Sequence, residues 1–194
     1  MSKKSKADKQ PLEEQMIGVM FPVQTPLVPR LFLLDQFFQQ VQGARVGLKF
    51  PTPFSFVLVH GRSWQPQPRP DGYKLMQAEN CFGNAYKLAD RHPELTYVEG
   101  YALHEATDFP VLHAWVADKQ GNVIDATWPT PAIEYFGVPF TLDDVLLGMA
   151  KRGRYGLIDH WECGWPLLKN GYKPAKKKAT SSSPAEKKVP RRKK

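Results

Sequence analysis

Residues 112–127 constrain this chain more than any other stretch. Two short runs, 112–117 and 122–127, flank Lys119-Gln120-Gly121 and read as a β-hairpin. If Ala117 pairs with Val123, then Leu112, Ala114, Val116, Ile124 and Ala126 share one face. That face is wholly apolar and belongs to the core. His113, Trp115, Val123, Asp125 and Thr127 share the other face. Strand side chains alternate with a period of two, so a slip of one residue would send His113 and Asp125 to opposite faces. In the register that buries the apolar set, the two are diagonal cross-strand neighbours. Their Cβ atoms then lie roughly 7 Å apart, within reach of a side-chain hydrogen bond. Aspartate is depleted in strands, so one between Ile124 and Ala126 asks for a specific partner.

Elsewhere the patterns are plainer. Leu34, Phe37, Phe38 and Val41 predict a helix over 31–41, stopped by Gly43. Residues 46–50 and 54–60 are rich in β-branched and aromatic side chains and read as strands. Residues 61–72 carry three prolines and read as a mobile loop. A helix over 81–91 has Phe82, Ala85, Leu88 and Ala89 as its apolar stripe, Asn80 as N-cap and His92-Pro93 as its end. Residues 96–103 alternate as a strand. Thr141 and Asp144 form a variant capping box that opens a helix to about Lys151. Residues 155–165 fit neither template. The domain reading is therefore a disordered N-terminus over 1–14, one domain over 15–172 that begins with a proline-punctuated arm over 15–30, and a disordered Lys/Arg-rich tail over 173–194.

The formal charge of +8 belongs to that tail. It holds ten Lys or Arg and one Glu, so the remainder is close to neutral. Nucleic-acid contact, if there is any, rests on residues 173–194. A solvated tail fits the composition as well, and no aromatic beyond Tyr172 supports stacking on bases. Two cysteines do not make a disulfide scaffold, and a free Cys81 in a reducing compartment is the simpler reading. Prolines and polar residues interrupt the apolar stretch 16–34, which reads as neither signal peptide nor membrane helix. The expectation is a soluble, cytoplasmic protein without membrane contact.

Cys81 opens a helix. The partial positive charge and free N–H groups of the first turn lower a thiol's pKa and can hold a developing oxyanion. The alternative is a small buried hydrophobe. His113 suits a proton carrier for that thiol, or is a structural strand histidine. Asp125 would fix the imidazole tautomer, or else bonds its own backbone beside a turn. His104, beside Glu105 at a strand end, competes with His113 as base or substrate contact. Gln77 and Asn80 precede the cysteine, where a side-chain amide could assist an oxyanion; capping and surface roles compete. Trp115 either walls the cleft beside the imidazole or packs. Cys81, His104, His113, His160 and Cys163 lack the tight spacing of zinc sites, so neither metal nor cofactor is expected.

Taken together, Cys81-Phe-Gly-Asn-Ala85, Tyr97-Val-Glu-Gly-Tyr101, His113-Ala-Trp-Val116 and Asp125-Ala-Thr127 resemble the transglutaminase-like superfamily over residues 81–128. The resemblance implies a papain-like α+β fold, with an antiparallel sheet packed against the helix that carries the nucleophile. It implies Cys81, His113 and Asp125 as a triad, with a protein or peptide amide as substrate. The family spans proteases, amidases, deamidases, cross-linking enzymes and inactive members. The expected function is cysteine-dependent acyl transfer or hydrolysis. The alternative is a catalytically silent binding module of the same fold whose tail contacts nucleic acid. Residues 1–70 match no pattern, and oligomeric state is not legible.

Overall fold

The computed structural model describes residues 24–42 and 47–173. The readings of 1–14 and 174–194, and most of the 15–30 arm, fall outside the described residues. Helix α1 spans Leu27–Gln42 and α2 spans Pro53–His60. Strand β1 is Arg62–Trp64, α3 is Cys81–Arg91, β2 is Thr96–Leu103, β3 is Val111–Ala117 and β4 is Val123–Ile124. Strand β5 is Glu134–Phe140, followed by α4 (Leu142–Arg152), a 3₁₀ turn (Trp161–Cys163) and α5 (Pro166–Asn170).

The strands form one five-stranded sheet in the order β1-β5-β2-β3-β4, antiparallel throughout. This is a mixed α+β fold, with helices on one face of an antiparallel sheet. Tyr97 and Tyr101 of β2, Ala114 and Val116 of β3, and Val138 and Phe140 of β5 meet Ala85, Leu88 and Ala89 of α3 in the main core. The opposite face has its own apolar cluster, built on Trp64, Val98, Trp115, Val123 and Tyr135. Both faces are covered, so every long strand is buried along most of its length.

The hairpin has the register that buries its apolar face. Ala117 pairs with Val123 and Val116 with Ile124. Ala114, Val116, Ile124 and Ala126 lie in the main core, as the alternation requires. The predicted helix at 31–41 extends back to Leu27, and the helices at 81 and 141 begin where expected.

Two readings are corrected. Residues 53–60 form helix α2, not a strand, because local capping outweighs β-branched content. The Thr52 hydroxyl accepts from the Ser55 N–H at 3.0 Å, the Ser55 hydroxyl faces the Thr52 N–H at 3.0 Å, and Pro53 occupies the first turn. Residues 47–50 form turns, not a strand. Second, the proline-rich stretch after Gly61 is tied down. It supplies β1 and then runs along the segment that carries Asp125. Gln67 Nε2 donates to the Val123 carbonyl, Arg69 Nη1 donates to the Asp125 and Trp128 carbonyls at 3.1 Å each, and the Met76 N–H donates to the Ala126 carbonyl at 2.7 Å.

Candidate active site

Strand β4 ends at Ile124, and its ladder covers only Val116 and Ala117 of β3. The edge of β3 beside His113 is therefore free of a strand partner on that side. Gly100 of β2 lies opposite His113 on the other side and also opposite Gly137 of β5. A Cβ on Gly100 would run into the backbone of Phe136 and Gly137. One on Gly137 would lie 2.7 Å from the Trp115 ring. Glycine at both positions lets the three strands close with His113 and Trp115 standing over them.

Past β4 the chain turns on Asp125. Its Oδ1 accepts from the Thr127 N–H at 2.8 Å and the Trp128 N–H at 3.1 Å, an Asx-type turn. Its Oδ2 accepts from His113 Nε2 at 2.8 Å and from the Tyr135 hydroxyl at 3.0 Å. Tyr135 is held in turn by the Ala132 N–H, which donates to its oxygen at 2.9 Å. His113 and Asp125 are 2 % and 4 % exposed, so this ion pair is dry. Burial raises the Asp125 carboxyl, but the bonds from His113 and the two backbone N–H groups outweigh it and hold it below the usual range.

The other face of the imidazole problem is the thiol. Cys81, half-buried and free, is close enough to the His113 ring for its charge to act on it. Burial pulls the His113 pKa down; the bonds and charges of Asp125 and Cys81 reverse this and push it up to about 9. The structure thus joins His113 to Asp125 by a direct hydrogen bond, with Cys81 among the groups whose charge the ring feels.

The other expected residues fall at varying distances from this cluster. Asn80 sits at the N-cap of α3, but its side chain makes no capping bond. It folds over Gly83, and its Nδ2 lies 3.4 Å from Gln77 Oε1. The expected cap is therefore corrected, because φ −121° and ψ 44° at Asn80 are not the extended geometry that aims a capping oxygen back at the first turn. The first turn is tied down instead by Asn84. This residue is fully buried, and its Nδ2 donates to the Gln77 carbonyl at 2.6 Å and to Thr127 Oγ1 at 3.0 Å. His104 accepts the Ala106 N–H at Nδ1 and meets Thr130 Oγ1 at Nε2, 3.0 Å away. Both its nitrogens are used, and its ring lies edge-on to Trp128.

Trp115 lies on the His113 face, but its ring is 6.3 Å from the imidazole and fills the second core cluster. The ring that covers His113 is Trp128, stacked at 3.8 Å with an interplanar angle of 6°. Sequence reasoning missed Trp128, Tyr135 and Asn84 in these positions. Trp128, three residues after Asp125, was locally visible. Tyr135 was not, since it reaches Asp125 only through the pairing of β5 with β2. Among the described residues, no three His, Cys, Asp or Glu side chains converge as a metal cage. No helix among them is long and apolar enough to cross a membrane.

Comparison of the chain with family models, with curated proteins and with solved structures finds no match.

Proposed function

We propose that the protein is a cysteine-dependent hydrolase or acyltransferase acting on amides, with Cys81 as nucleophile, His113 as proton carrier and Asp125 as orienting carboxylate. The α+β scaffold would then be a transglutaminase-like, papain-like one. The reading rests above all on the His113 ring, bonded at Nε2 to Asp125 at 2.8 Å, with Cys81 at the tip of α3 close enough for its charge to act on that ring.

The chemistry follows from where the protons sit. His113 holds its proton through neutral pH, opposite a sulfur at the N-terminus of α3. The Cys81 thiolate attacks the carbonyl carbon of an amide. A C–S bond forms, and the carbonyl π pair moves onto oxygen, toward the uncapped N–H groups of the first helical turn. When that oxyanion collapses, the C–N bond breaks and the leaving nitrogen takes the proton from His113 Nδ1. A thioester on Cys81 and a neutral imidazole remain. The imidazole then takes a proton from an attacking water or amine. The C–S bond breaks, an acid or a new amide departs, and the thiolate–imidazolium pair is restored. Throughout, Asp125 stays ionised and fixes the ring orientation. Trp128 keeps water off the ring face.

A mass-resolved screen on glutamine-containing peptides, run with and without an added primary amine, tests this. The expected result is turnover through a thioester on the Cys81 peptide. Turnover is lost in Cys81→Ala and reduced by roughly 10²–10⁴-fold in His113→Ala, with circular dichroism unchanged. Amine incorporation marks transfer, and its absence marks hydrolysis. Turnover that survives Cys81→Ala would overturn the proposal.

A further inference from the structure

A cleft of about 380 Å³ opens beside the tip of α3, with Asn80, Phe82, Arg152, Arg154, Tyr155 and Asp159 among its lining residues. Asn80 and Phe82 flank Cys81 in the chain, so the cleft lies at the helix tip that carries the thiol. Its deepest charged group is Arg152, the last residue of α4, whose side chain is only 4 % exposed. Nη2 of Arg152 meets Glu162 at 2.9 Å and Asp159 at 3.5 Å. Nε is buried and has no hydrogen-bond partner among the described residues. Nη1 approaches Gly156, where a Cβ would lie 3.6 Å from it and 3.6 Å from the Phe82 ring. Gly156 has φ +109°, a conformation that favours glycine, and it lets the backbone pass close to the guanidinium and the Phe82 ring where both line the cleft.

A buried guanidinium with unused donors calls for an acceptor, and a carboxylate, which only accepts, answers that best. Arg152 and Arg154 are matched by two acids, Asp159 and Glu162, so the unused donors of Arg152, not a net charge, are what select the carboxylate. The uncapped first turn of α3 adds its partial positive charge at the mouth.

We propose that this cleft holds a carboxylate of the acyl donor, so that the preferred amides carry an acidic side chain or a chain-terminal carboxylate next to the reacting carbonyl. The proposal rests on Cys81 being the nucleophile. Iodoacetate and iodoacetamide, a charged and a neutral reagent for the same thiol, test it on the full chain. The iodoacetate-to-iodoacetamide rate ratio at Cys81 should exceed that of free glutathione by about tenfold or more and should saturate with iodoacetate. His113 also attracts the anion, so the deciding step is the effect of Arg152→Gln and, at an exposed site that leaves the core untouched, Arg154→Gln. Both should lower the ratio. A ratio unchanged in both variants overturns the proposal. A failure of the nucleophile reading looks different: His113→Ala would then leave the iodoacetamide rate itself unchanged. Protection of Cys81 by N-acetylglutamate α-amide or by N-acetylglycine tells a side-chain from a terminal carboxylate. Protection by neither also counts against the proposal.

Discussion

Asp125 meets two demands with two oxygens. Oδ1 builds the turn that ends β4, and Oδ2 holds His113 and Tyr135. A turn-former and an orienting carboxylate are alternatives on paper, yet here one side chain is placed for both. Asp125→Asn keeps the size but removes the charge inside a dry site. It should lower the His113 pKa, read by NMR titration of the ring, and cost about 2–4 kcal/mol of stability in denaturant unfolding. The pH dependence has a definite sign. His113 is raised from 6.5 to about 9, so the stability it contributes is full below about 6.5 and is lost as pH climbs through about 9. Asp125 is lowered from 3.8, so its share is full above about 3.8 and is lost only in more acid solution. Both shifts describe one interaction, and the stability curve should be flat between them and steeper in alkali than that of His113→Gln.

At the level of elements, local signals were legible and non-local ones were not. Helix α4 announces itself in the Thr141 and Asp144 capping box, and α3 in its apolar stripe. Helix α2 was mistaken for a strand because Phe54, Phe56, Val57, Leu58 and Val59 make a short apolar run, which periodicity cannot assign. Its signature lay just upstream, in Thr52-Pro53 with Ser55. Thr52 also donates to Asp35 Oδ1 of α1 at 2.5 Å in a buried contact. Thr52→Ala should therefore cost about 2–3 kcal/mol, against about 1 kcal/mol for Thr141→Ala, both read by thermal or urea unfolding. Strand β5 was missed because Gly137 and Pro139 break its pattern. Pro139 is tolerated because β1 pairs only with Tyr135, Phe136 and Gly137, leaving one side of β5 open beyond them.

Across the whole molecule, the His113–Asp125 pair was legible because both residues share one hairpin face, and a two-residue period fixes which residues do. What surrounds them was not, because it arrives from distant parts of the chain. Glu99 shows how far such ties reach. Fully buried on β2, it accepts from the Tyr97 hydroxyl and from the N–H groups of Leu157 and Ile158, which follow the cleft-lining residues Tyr155 and Gly156. Glu99→Ala should cost about 3–5 kcal/mol in unfolding experiments, since it leaves buried donors unpaired. The most direct measurement of the central claim is the rate of Cys81 alkylation by iodoacetamide against pH, in the wild type and in His113→Ala. The proposed thiol–imidazole pairing predicts labelling faster than that of a free thiol at neutral pH and a clear slowing in the variant. Labelling no faster than a free thiol, and unchanged in His113→Ala, would contradict the activated-cysteine reading outright.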